Sequence, residues 1–118
     1  MVGIPGDLDL SFLCGAEVIQ VCLGMWQVQI NFAPSATVAV EGDWELADDE
    51  GRIIDRSSDT VREQPFQLHL LLQRVVVGAE VCAPLSFALR FTGGLVLRVF
   101  VRSDGYESFS IQPGNIFV

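Results

Sequence analysis

Few side chains in this 118-residue chain could carry chemistry, and most of those that could are acids. Six carboxylates fall within ten positions: Glu41, Asp43, Glu45, Asp48, Asp49 and Glu50. Such a cluster can hold a divalent cation, work as an unequal acid–base pair, or steer a cationic partner. Spacing disfavours the first, because Asp48-Asp49-Glu50-Gly51 lacks the alternating ligands and later glutamate of a calcium loop. The second needs apolar neighbours that raise one pKa. Only Asp43 and Glu45 around Trp44, and Glu107 beside Tyr106, have a neighbouring ring. Strand alternation alone predicts acids outward and rings inward at those places. The third remains as the functional reading. Glu41, Asp43, Asp48, Asp49 and Glu50 would attract a basic protein, with Trp44 or Tyr106 as anchors. The competing reading is a solvated loop that keeps an apolar chain soluble.

The other reactive residue types are scarce. His69 is the single histidine and sits in Leu68-His69-Leu70-Leu71-Leu72, an apolar setting that predicts a place on a helix rather than a catalytic base. Cys14, Cys22 and Cys82 are odd in number and form no Cys-x-x-Cys pair, so they read as small buried hydrophobes in a reducing compartment. All seven basic residues are arginine, which removes Schiff-base lysines and the Walker lysine together. Glycine-rich phosphate loops and the Gly-x-Ser-x-Gly elbow are absent from the sequence. No catalytic residue, metal ligand or cofactor is assigned, and a non-enzymatic role is favoured.

Charge narrows the partners. The net charge is -8 and the isoelectric point is about 4.3, a balance unsuited to nucleic acid or an anionic membrane surface. The charge is also uneven. Residues 1–59 hold eleven acids and two arginines (net -9), and residues 60–118 hold four acids and five arginines (net +1). Met1 to Asp9 shows no basic residue before an apolar run, and no stretch reaches the ~18 apolar residues of a membrane helix. A cytoplasmic protein is expected.

Positioning these residues falls to a single domain over residues 1–118, α+β but mostly β. Leu85, Phe87, Leu89 and Phe91 alternate with Ser86, Ala88 and Arg90. After Thr92-Gly93-Gly94, Leu95, Leu97, Val99 and Val101 alternate again, with Arg98 and Arg102 among the outward positions. A three-residue loop pairs Phe91 with Leu95, Leu89 with Leu97 and Phe87 with Val99, and so keeps every bulky residue on one face, with Gly94 free to turn left-handed. Val96 and Phe100 fall outward beside the arginines, either as an interface or under another segment. Trp26, Val28, Ile30 and Phe32 show the same alternation, and Thr37 to Val40 returns. Val18 to Leu23 and Val75 to Cys82 read as leading strands, and Tyr106 to Ile111 as a last strand after the turn Ser103-Asp104-Gly105. Short helices are expected from Asp7 to Leu13 and from Pro65 to Gln73. Residues 45–63 read as a connector, with Arg52-Ile53-Ile54-Asp55 as one brief strand. A 59-residue shift superposes the apolar positions, giving two pseudo-repeats, 1–59 and 60–118. Each would be a short helix and three antiparallel strands, together forming a curved sheet or small barrel.

Several elements resemble a known group. They are Leu13-Cys14-Gly15-x-x-Val18-x-x-Val21, Val28-x-Ile30-x-Phe32, Gly42-x-Trp44, Leu71-Leu72-x-x-x-Val76, Gly94-Leu95-x-Leu97-x-Val99 and Tyr106-Glu107-Ser108-Phe109-x-Ile111. Together they are similar to a family of small bacterial proteins of unknown function, some of them found among toxin–immunity genes. The resemblance covers most of the chain and rests mainly on apolar spacing. It implies a compact β-rich domain and carries no catalytic residue.

Two functions follow. One is a protein-binding domain, such as an immunity-type inhibitor, meeting a basic partner through the acidic first half. The other is a barrel or enzyme with an apolar pocket between the halves, lined by Trp26, Phe32, Phe87 and Phe91. A homodimer through exposed strand edges is compatible with both.

Overall fold

The computed structural model describes residues 3–24, 26–57, 65–102, 108–114 and 116–118. Ten strands form two antiparallel sheets. They are β1 Glu17–Leu23, β2 Val28–Ala33, β3 Ala36–Val40, β4 Trp44–Ala47, β5 Ile53–Arg56, β6 Val76–Cys82, β7 Ser86–Phe91, β8 Val96–Phe100, β9 Phe109–Gln112 and β10 Ile116–Phe117. The first sheet runs β1-β2-β3-β9-β10 and the second β5-β4-β8-β7-β6. Each sheet is therefore a three-strand meander from one half of the chain, completed by a two-strand hairpin from the other half. The sheets meet across one apolar core that includes Val18, Ile30, Phe32, Val38, Leu46, Phe87, Leu89, Leu97, Phe109 and Ile111. Phe87 of β7 meets Phe109 of β9 edge to face at 4.8 Å, so the inner faces touch directly.

Alternation explains the inward rows. Along β2 and β8 every second side chain is buried. The β7–β8 register is the one expected, with Phe87 opposite Val99 and Leu89 opposite Leu97, and the Phe91 N–H donating to the Leu95 carbonyl at 2.8 Å. Gly93 and Gly94 both turn left-handed (φ +83° and +84°), so two small residues rather than one reverse the chain here.

The helices differ from expectation. Each shrinks to one 3₁₀ turn, Ser11–Leu13 and Leu68–Leu71. Gly15 at φ +90° and Gln73 at φ +69° bend the chain out of each turn before a second can form. The chain is thus mostly β with no longer helix among the described residues. The barrel expectation also fails, because the two sheets stay separate and neither closes. Each half supplies five strands rather than the three of the expected repeat. The brief strand expected at Arg52-Ile53-Ile54-Asp55 is β5 and the expected last strand is β9, while β4 and, after Pro113-Gly114, β10 are additional. Trp26 and Leu85 break the expected inward rows. Both fall just before the middle strands of their meanders, β2 and β7, and they are 82% and 59% exposed.

The leading strands meet at their starts. Glu17 and Val75 form an antiparallel bridge. Around it, the Gly15 N–H donates to the Val76 carbonyl and the Gln73 N–H to the Val18 carbonyl. Likewise the Val18 N–H donates to Arg74 and the Val76 N–H to Ala16.

Candidate interaction face

The acidic segment is built on β4. Pairing with β8 sets Trp44 opposite Val99 and Leu46 opposite Leu97, which turns both inward and leaves Glu45 outward opposite Arg98. Trp44 is 4% exposed, and its ring stacks on Phe66 at 6.2 Å. It is a core residue, which corrects its expected role as a surface anchor. Its backbone is held by Ser57: the Trp44 N–H donates to Ser57 Oγ at 3.0 Å, and the Ser57 N–H returns to the Trp44 carbonyl at 2.9 Å.

The six acids separate into two ends and a middle, since four residues of strand span ~13 Å. Glu41 and Asp43 lie exposed where the chain crosses from β3 to β4. That crossing is fixed by the Glu41 and Gly42 N–H groups, which both donate to the Ser108 carbonyl at 2.9 Å, and by Arg102 Nη1 donating to the Glu41 carbonyl at 3.3 Å. Gly42 has to be small there, because an added Cβ would lie 2.8 Å from Arg102 Cγ. The Ser57 hydroxyl donates to Asp43 Oδ1 at 3.3 Å. In the middle, Glu45 faces Arg98 at 4.0 Å.

At the far end, Asp48 organises the β4–β5 turn. Its Oδ1 accepts the Glu50 and Arg52 N–H groups, each at 2.9 Å, and its Oδ2 accepts Arg52 Nε at 3.0 Å. These bonds, the Arg52 N–H first, hold its carboxyl below the usual aspartate value. That shift is the reverse of what a general acid needs. Glu50 reaches Arg52 at 3.5 Å. Asp49 is exposed beside the β7–β8 turn, its Cβ close to Gly94. Glu41, Asp43 and Asp49 face no arginine in any ion pair among the described residues. Tyr106, Glu107 and the turn at 103–105 lie outside the described residues.

The other candidates disperse. His69 is exposed on its 3₁₀ turn. Cys14 and Cys82 are exposed and Cys22 is half-buried, all three unbridged, so the expectation of buried thiols is corrected. No group of three His, Cys, Asp or Glu suited to a metal occurs among the described residues. The rings meant to line a pocket do not gather. Phe32, Phe87 and Phe91 are buried while Trp26 stands in solvent. Val96 and Phe100 are half-buried on the outer face of the second sheet, whose arginines are engaged, Arg90 with Glu80 at 3.0 Å and Arg98 with Glu45.

One feature of the first sheet was not singled out from sequence. Its outer face carries a network of neutral side chains. Asn31 donates to Gln20 at 2.8 Å and accepts from Gln29 at 3.1 Å and from Thr37 at 2.8 Å. The alternating Gln27, Gln29 and Asn31 were its only signal. Apart from Glu17 at the start of β1, the strands of the first sheet carry no charged residue. The chain matches no protein-family model, no curated protein and no solved structure.

Proposed function

We propose that this is a non-enzymatic protein-binding domain that meets a basic partner through the exposed acids Glu41, Asp43, Asp49 and Glu50. One observation carries the reading. Three of these four carboxylates lack an arginine among the described residues, whereas Glu45 and Glu80, on the strands of the second sheet, each have one. Unneutralised acids at both ends of one strand give a field that speeds encounter more than it deepens affinity. Asp48 is excluded from that role because its oxygens are occupied by the turn. An immunity-type inhibitor in a bacterial cytoplasm is the setting we infer from the resemblance in sequence.

The same proposal includes an internal duplication. The reciprocal bonds around Glu17 and Val75 support it, since Gly15 to Val76 and Gln73 to Val18 differ by 58 residues at each end, as do Val18 to Arg74 and Val76 to Ala16. The hairpin registers Val28–Val40 and Phe87–Val99 differ by 59.

The test is a double reversal, Asp43→Lys with Asp49→Lys, against a basic partner captured from the native cell. Association at low salt should slow at least about tenfold, with little change in dissociation. An unchanged rate at low salt would sink the reading.

A further inference from the structure

We propose that two copies of this chain associate through the surface made by residues 11–19 and 69–77. Ten large apolar side chains are exposed among the described residues, and five of them, Phe12, Ile19, Leu70, Leu72 and Val77, fall in these two nine-residue segments. The segments are not merely close in composition. They are joined edge to edge by the Glu17–Val75 bridge and the four backbone bonds around it, so they present one continuous surface. Together these side chains expose roughly 400 Å² of apolar area, within the range of the largest patch on a typical monomer and about half of what each partner of a standard interface buries.

Charge selects the occupant. The surface holds one acid, Glu17, one arginine, Arg74, and His69, in a chain whose net charge is -8. Two strongly acidic copies repel across most faces, and this one lets them approach without like charges in contact. A basic partner gains nothing from a neutral face, which sets this surface apart from the acids around β4.

The test is sedimentation velocity on the full chain from about 1 to 100 μM, a range that resolves micromolar dissociation constants. A dimer is expected, unweakened by added salt. Ile19→Glu with Val77→Glu should weaken it at least about tenfold, while Phe117→Glu, exposed on the opposite edge strand, leaves it intact. Hydrogen exchange of the unmodified protein gives a second reading that needs no variant, with slower exchange in residues 11–19 and 69–77 at high concentration. A monomer throughout this range overturns the proposal. So does a dimer that Phe117→Glu disrupts and the Ile19/Val77 pair does not, or protection confined to other segments.

Discussion

Phe87 and Trp26 stand on equal terms in the sequence, each at an inward position of an alternating run, and the fold separates them completely. Phe87 is fully buried and meets Phe109 across the two sheets, whereas Trp26 is 82% exposed. Phe87→Ala removes a whole ring from between two sheets that have little freedom to collapse, which costs about 3–5 kcal/mol. Against a stability of roughly 5–15 kcal/mol, that is a large fraction. With a urea slope near 1.5 kcal/mol per M, the midpoint falls by about 2–3 M. Trp26→Phe should stay within about 0.5 kcal/mol of the parent, as surface changes do. It also leaves buried Trp44 as the sole indole, a fluorescence reporter of the core. Unfolding is therefore best followed in the Trp26→Phe background. A cycle with Phe109→Ala should show a coupling of about 0.5–1.5 kcal/mol for the edge-to-face pair. If Phe87→Ala costs less than about 1 kcal/mol, or if Trp26→Phe costs more, the packing of the two sheets described above is wrong.

Three other outcomes follow from named contacts. Asp48 should titrate below the ordinary aspartate value of 3.8, so its contribution to stability is complete above that value and lost as pH falls through the lower folded pKa; carbon-detected NMR titration measures it, and a value at or above 3.8 refutes the turn. Gly94→Ala should destabilise by about 1 kcal/mol or more, because φ is +84° and the new Cβ would lie 2.8 Å from Asp49 Cβ; a neutral result in thermal melts would contradict that conformation. Residues 1–59 and 60–118 made separately should each lack stable sheet and regain a β-type circular dichroism spectrum on mixing, since each meander lacks its completing hairpin alone; a half that folds unaided would refute the exchange.

How much of this was legible in the sequence depends on the range of the forces involved. The β7–β8 hairpin could be read to its register, because a slip of one residue would have buried Arg98 among Leu89 and Phe87. The helices could not. Leu10, Leu13, Leu68 and Leu71 are all buried, as a helical stripe would demand, and one turn of 3₁₀ geometry satisfies the same spacing. The left-handed Gln73 gave no warning, since glutamine seldom adopts that conformation. The acids of the candidate site were visible as a cluster, but their separation was not. Asp48 is consumed by a turn and Glu45 by an arginine more than fifty residues away, and only pairing with β8 decides that.

The exchange of hairpins accounts for the placement of the acids. At Glu41-Gly42-Asp43 the chain leaves the first sheet and enters the second, so this segment lies between layers, where side chains have no inner face to fill and remain in water. Its backbone groups still need partners, and the Ser108 carbonyl, at the chain's return crossing from the second half, supplies them for Glu41 and Gly42. One crossing thus fastens the other. The return crossing keeps Ser108 fully buried, and its hydroxyl accepts the Arg102 N–H. Polar satisfaction at this junction requires both halves at once, so a substitution that loosens Ser108 should move Glu41 and Asp43 together. Ser108→Ala leaves the carbonyl in place and removes only the hydroxyl, orphaning one buried donor at a cost of about 1–3 kcal/mol. Faster amide exchange at Arg102 is the expected signature, with Glu41 and Gly42 still protected. Exchange that rises equally at all three would mean that the hydroxyl, and not the carbonyl, holds the crossings together.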